Sequence, residues 1–275
     1  MAPPKTKTVG IVAREGLRTA YDLASKTIKI LHSLGFTIFA LSPLKHEYAK
    51  TVDCMTDLKN RNLEAILTIG GDGTIIRVIR DLDGDIPVMG VAGGGRGIMA
   101  EVHAAELPKA IERLSQGKYY LDHRKRLIAS IDSKLLTPAL NEVLLMRRSY
   151  TVTPTYTISI QKSARLNQRM DGLMISSPTG STGHSYALGG PVITEQLDVF
   201  LLTPICPITR LPSLVLPTLP VEILSNQPTI VVVDGQEIYH TEGNTLIKVA
   251  RHTHDAVFIR FSQRSLGQLT NLGFS

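Results

Sequence analysis

The sequence predicts an α/β N-terminal Rossmann-like domain with a parallel sheet, followed by a β-rich, β-sandwich-like C-terminal domain. Three observations predict it. Strand and helix signals alternate over the first part of the chain, and the strands there are near-continuous apolar runs, which suits a sheet covered by helices on both faces. After Gly117, helical periodicity gives way to short β-branched runs separated by turn residues, the pattern of stacked antiparallel sheets. The boundary implied by that change of period divides the chain into 1–118 and 119–255, with 256–275 left as a C-terminal segment.

Taken in order, Thr8 to Ala13 is an apolar run that reads as the first strand. Gly16 to Leu34 carries Leu17, Ala20, Leu23, Ile28, Leu31 and Leu34 at helical spacing until Gly35 stops it. Phe36 to Leu41 is a second strand, and the polar stretch after it is expected to be helical. Glu64 to Gly71 reads as a buried strand running into a turn, Thr74 to Arg80 as the start of a helix, and Ile86 to Ala92 as another strand. Leu107 to Gln116 is amphipathic. Further strands are expected at Leu127–Ile131, Thr153–Ile160, Gly172–Ser176, Ser213–Leu216, Val221–Leu224, Thr229–Val233 and Ala256–Phe261. Neither an internal repeat nor a low-complexity segment interrupts them.

Composition narrows the function. A chain of 275 residues with 43% hydrophobic content can bury its own core. Thirty basic against 24 acidic residues leave a formal charge of +6, which suits anionic ligands such as phosphates. A nucleic-acid surface would show Lys and Arg clustered among aromatics. Arg124-Lys125-Arg126 and Arg147-Arg148 are short and read as solvated charges or a phosphate-facing rim, so no nucleic-acid partner is expected. Cys54 and Cys206 lie far apart, which argues against a disulfide framework and for a reducing compartment, each as a small core residue. The N-terminal MAPPKTKTVG has no apolar stretch before a cleavage site, and no apolar run approaches the roughly 20 residues that span a bilayer. The expected location is cytoplasmic, with no membrane partner.

The strongest local signal is Gly70-Gly71-Asp72-Gly73-Thr74, where a buried strand meets a helix. Glycines there let the backbone approach a ligand closely, and the helix start offers N–H groups to phosphate oxygens. Asp72 is the odd member, because a carboxylate beside phosphates is costly unless it accepts a proton, meets a metal or holds a sugar hydroxyl. The alternative is a plain strand-to-helix turn with Asp72 as helix N-cap. Neither the P-loop pattern nor a clean dinucleotide fingerprint is present. A second glycine loop, 90–97, follows the next strand and should face the first, bringing Arg96 within reach of phosphates.

Asn141-Glu142 pairs an amide that can make a two-point contact to an adenine edge with a carboxylate that can accept bonds from ribose hydroxyls. The stretch from Asp171 to Pro191 crowds hydroxyls beside glycines, and Ser177, Thr179, Ser181, Thr182, Gly183, His184 and Ser185 suit a polar loop that bonds sugar, base or amide groups. His252-x-His254 lacks companion ligands at metal spacing, so no transition-metal site is expected.

With these segments together, the chain resembles the NAD kinase family, enzymes that phosphorylate NAD to NADP. The matching segments are Gly70 to Thr74, the loop 90–97, Asn141-Glu142, Asp171 through Pro191, Leu201 to Pro207 and Val233-Asp234-Gly235-Gln236, in the family's order. The resemblance implies transfer of the γ-phosphoryl of ATP, or of inorganic polyphosphate, to the 2′-hydroxyl of the adenosine ribose of NAD, with Mg²⁺ or another divalent cation on the phosphates. It implies Asp72 as the carboxylate that activates that hydroxyl, Asn141 and Glu142 as holders of the adenosine half, and Asp171 and Thr182 as holders of the rest. Gly70, Gly71, Gly73, Thr74, Asp234 and Gln236 join the binding set by the same carry-over. It further implies a C-terminal segment that returns to the first domain, and a homodimer or homotetramer.

The sequence departs from the family pattern at four places. Ala92 stands where Asn is usual, Ile98 near a usual Phe, Gly183-His184 for Ala-Tyr, and Ala187 for a hydroxyl residue. Two other readings stay open: a lipid or small-molecule kinase sharing Gly-Gly-Asp-Gly, which should lack Asn141-Glu142 and the Pro178-to-Thr182 loop, and a non-catalytic dinucleotide sensor, which Ala92 and His184 would suit.

Overall fold

A computed structural model describes residues 7–82, 84, 86–93, 99–160 and 164–262. They form two compact units, residues 7–123 with 256–262, and residues 124–255. The first unit contains β1 (Thr8–Ala13), α1 (Arg18–Ser33), β2 (Thr37–Leu41), β3 (Lys50–Val52), α2 (Met55–Lys59), β4 (Ala65–Gly70), α3 (Asp72–Asp81), β5 (Val88–Ala92), β6 (Val102–His103), α4 (Leu107–Ser115) and β7 (Tyr120–Arg124). The second unit follows with β8 (Leu127–Ile131), β9 (Lys134–Leu135), β10 (Glu142–Arg147), β11 (Thr155–Ile160), β12 (Ala164–Arg169), β13 (Gly172–Ser176), a short α5 (His184–Ala187), β14 (Val199–Ile205), β15 (Leu214–Pro217), β16 (Val221–Ser225), β17 (Thr229–Val233), β18 (Glu237–Thr241) and β19 (Leu246–Arg251). The chain then re-enters the first unit as β20 (Ala256–Arg260).

Among the described residues the first unit has one sheet of order β3-β2-β1-β4-β5-β20-β7, with β6 paired to β5. The pairings of β1 through β6, and of β20 with β5, are parallel. Every residue of β4 and β5 is buried, as strands covered on both faces require. Helix α1 turns Ala20, Leu23, Ala24, Ile28 and Leu31 inward on one stripe, and α4 does the same with Leu107, Ala110, Ile111 and Leu114. The chain leaves β1 toward β2 and β3, then switches to β4 and β5. The order reverses between β1 and β4, and in open sheets of this kind ligands bind outside the carboxyl ends of the strands at such a point.

The second unit is a pair of antiparallel sheets, β15-β14-β13-β10-β17-β18 and β12-β11-β16-β19-β8-β9. Alternate residues of each supply one core: Val143 and Leu145 of β10, Leu173 and Ile175 of β13, and Val231 and Val233 of β17 from the first sheet, with Tyr156, Ile158, Ile223 and Val249 from the second. That alternation is the sandwich solution to burying one face of each sheet.

Some expectations are corrected. The polar stretch after β2 is not one helix but β3 and the five-residue α2. Cys54 and Cys206 are both free and exposed, so neither is a core residue: Cys54 sits at the start of α2 and Cys206, with a φ of 48°, just past β14. The basic triplet is no solvated rim. Arg124 and Arg126 are buried, Arg124 pairs with Glu195, and Lys125 pairs with Asp255 at 3.1 Å.

Candidate active site

In the first unit, β4 ends at Gly70 and α3 starts at Asp72, with Gly71 in the cap position. Gly70 is required by space, since a Cβ there would lie 2.5 Å from the Thr74 hydroxyl oxygen. The carboxyl end of β5 closes against the same turn: the N–H of Gly93 donates to the Gly70 carbonyl at 3.0 Å, and the Thr19 hydroxyl of α1 donates to the Gly93 carbonyl at 3.1 Å. A Cβ on Gly93 would stand 3.2 Å from Gly70 Cα, so the two glycine turns touch through bare backbone. Beside them a cavity of about 650 Å³ is lined by Thr19, Asp22, Lys26, Ala92, Gly93 and His103.

Asp72 does not cap α3. It is the helix's first residue, and its Oδ1 accepts the backbone N–H of Met99 at 3.0 Å. A carboxylate at this place also gains from the positive end of the helix dipole. Gly73 is exposed and Thr74 buried behind it. Arg96 lies outside the described residues. Sequence reasoning passed over Met99 because its contribution is a backbone N–H, which no side-chain pattern announces. Thr19 carried no signal either, since its partner is a carbonyl 74 residues away.

In the second unit the polar residues gather at one end of β10 and β13. Register pairs Glu142 with Ser176, so the residues before β10 meet those after β13. Asp234 and Gly235 make the β17–β18 turn with φ of +50° and +65°, the left-handed pair of a type I′ hairpin. The turn aims the Asp234 carboxylate inward. Its Oδ2 accepts the N–H of Leu140 at 2.8 Å, and its Oδ1 those of Asn141 at 2.7 Å and Glu142 at 3.1 Å. Burial raises the Asp234 pKa, against the pull of those three N–H groups and of the buried Arg126 guanidinium. Asp234 is therefore spent on shaping the strand that carries Asn141 and Glu142. Burial pushes the Glu142 carboxyl up to about 7, and the negative charge of Asp234 adds to the rise. The side-chain oxygen of Asn141 is buried and has no hydrogen-bond partner among the described residues.

The hydroxyl-rich loop divides its residues between two tasks. Ser177, Ser181 and Ser185 recur every fourth residue, all fully buried. Ser177 donates to the Leu140 carbonyl at 2.6 Å, Ser181 to that of Pro178 at 2.7 Å, and Ser185 bonds Thr203 at 2.8 Å. Gly180 sits against Asn141, where a Cβ would come 2.3 Å from the Asn141 carbonyl oxygen. These residues fasten the loop. Gly183 and His184 are exposed and Thr182 partly so, while Thr179 is buried. Gln236 completes the β17–β18 turn, its N–H donating to Val233 at 3.0 Å.

Asp171 stands apart. It precedes β13, and the five-residue strand separates it from Ser177 by about 17–20 Å at ~3.4 Å per residue. There it pairs with Arg147 at 3.2 Å.

Comparison with known proteins agrees with this geometry. The family model of the ATP-NAD kinase N-terminal domain matches residues 9–119, and that of the ATP-NAD kinase C-terminal domain residues 140–261. The NAD kinase of Thermococcus sibiricus is 30% identical over 262 residues, covering 93% of this chain and 94% of that protein. The NAD kinase of Methanothermobacter thermautotrophicus is 33% identical over 265 residues, covering 93% and 92%. Among solved structures, yeast NADH kinase complexed with NADH superposes with a TM-score of 0.87 at 20% identity, over 99% of this chain and 91% of that one. An NAD kinase from Archaeoglobus fulgidus in complex with ATP superposes with a TM-score of 0.77 at 21% identity, over 97% and 99%. A glycine turn carrying an anchored carboxylate, an Asn-Glu pair shaped by a buried aspartate, and similarity along nearly the whole length agree: the chain belongs to the ATP-NAD kinase family.

Proposed function

We propose that this NAD kinase transfers the γ-phosphoryl of ATP to the 2′-hydroxyl of the adenosine ribose of NAD. The ribose 2′-oxygen attacks the γ-phosphorus, the bond from that phosphorus to the β–γ bridging oxygen breaks, and ADP leaves with the electron pair. Asp72 takes the hydroxyl proton, giving NADP. The observation that carries this reading is the Asp72 carboxylate at the first residue of α3, beside two glycine turns and oriented by the Met99 N–H. Phosphoryl transfer asks mainly for positioning and charge neutralisation, and the glycine turns offer backbone N–H groups for that.

The adenosine half is assigned to Asn141 and Glu142. The unpartnered Asn141 oxygen suits an amino group such as the exocyclic one of adenine, since a buried acceptor without a donor is costly. Glu142 accepts from ribose hydroxyls, and the edge formed by half-buried Thr182 and exposed Gly183 and His184 takes a further part of the dinucleotide. Among the described residues no three His, Cys, Asp or Glu side chains are grouped to hold a metal ion, and Mg²⁺ is proposed to arrive on the phosphates of ATP as part of the substrate. No helix among the described residues is long and apolar enough to cross a membrane. A cytoplasmic homo-oligomer completes the reading.

The test is direct. The purified chain with NAD, ATP and Mg²⁺ forms NADP, followed with an NADP-specific dehydrogenase. Asp72→Asn lowers kcat by about 10²–10⁴-fold with the circular dichroism spectrum unchanged. NAD binding without product would favour a sensor, and near-normal kcat in the variant would remove Asp72 from its role.

A further inference from the structure

We propose that Arg260, on the C-terminal strand β20, is a positioning residue for the Asp72 carboxylate and acts through the backbone of Met99. The inference rests on the reading of Asp72 as the base. Met99 links Arg260 to Asp72. Its N–H donates to Asp72 Oδ1 at 3.0 Å, and its carbonyl accepts from Arg260 Nη1 at 2.9 Å. A residue held at both its N–H and its C=O has little freedom left in φ and ψ, so the direction of the N–H, and of the carboxylate it orients, follows from where the guanidinium sits.

The guanidinium is itself fixed. Arg260 is buried, its Nη1 reaches Glu101 Oε2 at 3.3 Å, its Nε reaches Asp122 at 3.2 Å, and its plane lies 4.7 Å from the Phe258 ring centroid. Glu101 ties the same segment to the strand end, since its Oε1 accepts the N–H of Phe261 at 2.8 Å and its own N–H donates to Gly90 at 2.9 Å. Gly90 makes the close approach possible, because a Cβ there would stand 2.6 Å from Ile75 of α3 and 3.1 Å from Ala100 Cα. Residues 99–101 are thus clamped between β5 and β20, next to the helix that begins with Asp72. Removing an arginine from water is costly, and hydrophobic residues would fill a core as well. What only a guanidinium supplies is a rigid planar fork able to serve a carbonyl and two carboxylates at once; the ammonium of lysine is a point charge on a flexible stem.

The experiment is steady-state kinetics of the full chain carrying Arg260→Lys or Glu101→Gln, each alone and combined with Asp72→Asn. Glu101→Gln keeps an acceptor for Phe261 and serves if Arg260→Lys does not fold. We expect each single variant to lose about 10- to 100-fold in kcat, as misplacement of a catalytic group by an ångström does, with KM for NAD and for ATP within about twofold. In the Asp72→Asn background the same substitutions change kcat by less than about twofold, because the group they position no longer acts as a base. An equal loss in both backgrounds would show a general structural role and overturn the inference, as would a KM change at constant kcat. Near-normal kcat in Asp72→Asn alone would remove the base, and Arg260 would have nothing to position.

Discussion

Glu142 is where burial and charge act most directly on measurable behaviour. Its carboxyl sits at about 7 against an ordinary 4.5, first because it is desolvated and then because Asp234 is negative beside it. A raised folded pKa means that the native chain binds the proton more tightly than the unfolded one. The associated stability is therefore fully present below about pH 4.5 and is lost as pH rises through about 7. The gap corresponds to at most about 3 kcal/mol. Glu142→Gln keeps the shape without the charge, so it should match the parent in urea midpoint at pH 5 and exceed it at pH 8. A difference independent of pH would contradict the raised pKa. The same logic reaches binding: ribose hydroxyls donating to Glu142 favour its ionised form, so NAD uptake near pH 6.5 should release part of a proton in calorimetry and lose that release in the variant.

At the scale of elements, the site depends on close approaches between backbones. The turn at Thr179–Thr182 can lie on the residue before β10 because position 180 has no side chain. Gly180→Ala must push that turn off Asn141, which we expect to cost about 1–3 kcal/mol in stability and to weaken NAD binding, read by thermal melting and calorimetry. Such motifs are legible in sequence, since glycines and hydroxyls cannot extend a hydrophobic strand and so declare a loop. The strands that were legible, β1, β2, β4, β5, β8, β11, β13, β15, β16, β17 and β20, mostly carry apolar or β-branched residues that line a core, although β15 is a sheet edge. Those that were not include the edge strands β3, β7, β9, β12 and β18, and also the interior strands β10, β14 and β19. The sequence of β12, ARLNQR, keeps Arg165, Asn167 and Arg169 outward, as edges do to avoid pairing with other chains, while β18, EIYHT, exposes Ile238 and buries Thr241, inverting the period-2 pattern of a core strand. What long-range pairing alone creates, such as the Met99 link to Asp72 or the inward turn of Asp234, left no local trace.

At the scale of the whole molecule, the two units differ in how the chain builds them. The second is continuous, residues 124–255, and its two sheets share one core. The first is discontinuous: β20 enters its sheet between β5 and β7 after the chain has completed the other unit. Val257, Phe258 and Ile259 of that strand are all buried, and at ~1.5–3 kcal/mol per buried apolar side chain they contribute about 5–9 kcal/mol, comparable to the net stability of a domain. Without β20, β5 also loses its parallel partner at Val88 and keeps only β6, at Val91 and Ala92, on that edge. A fragment of residues 124–255 should therefore fold alone, with a β-type circular dichroism spectrum and a single cooperative urea transition. A fragment of residues 1–123 should lack a cooperative transition and aggregate, and adding a peptide of residues 252–275 should restore order to it. A cooperative, monomeric 1–123 fragment would show that β20 is dispensable to its sheet, and would leave Arg260 attached to a unit that does not need it.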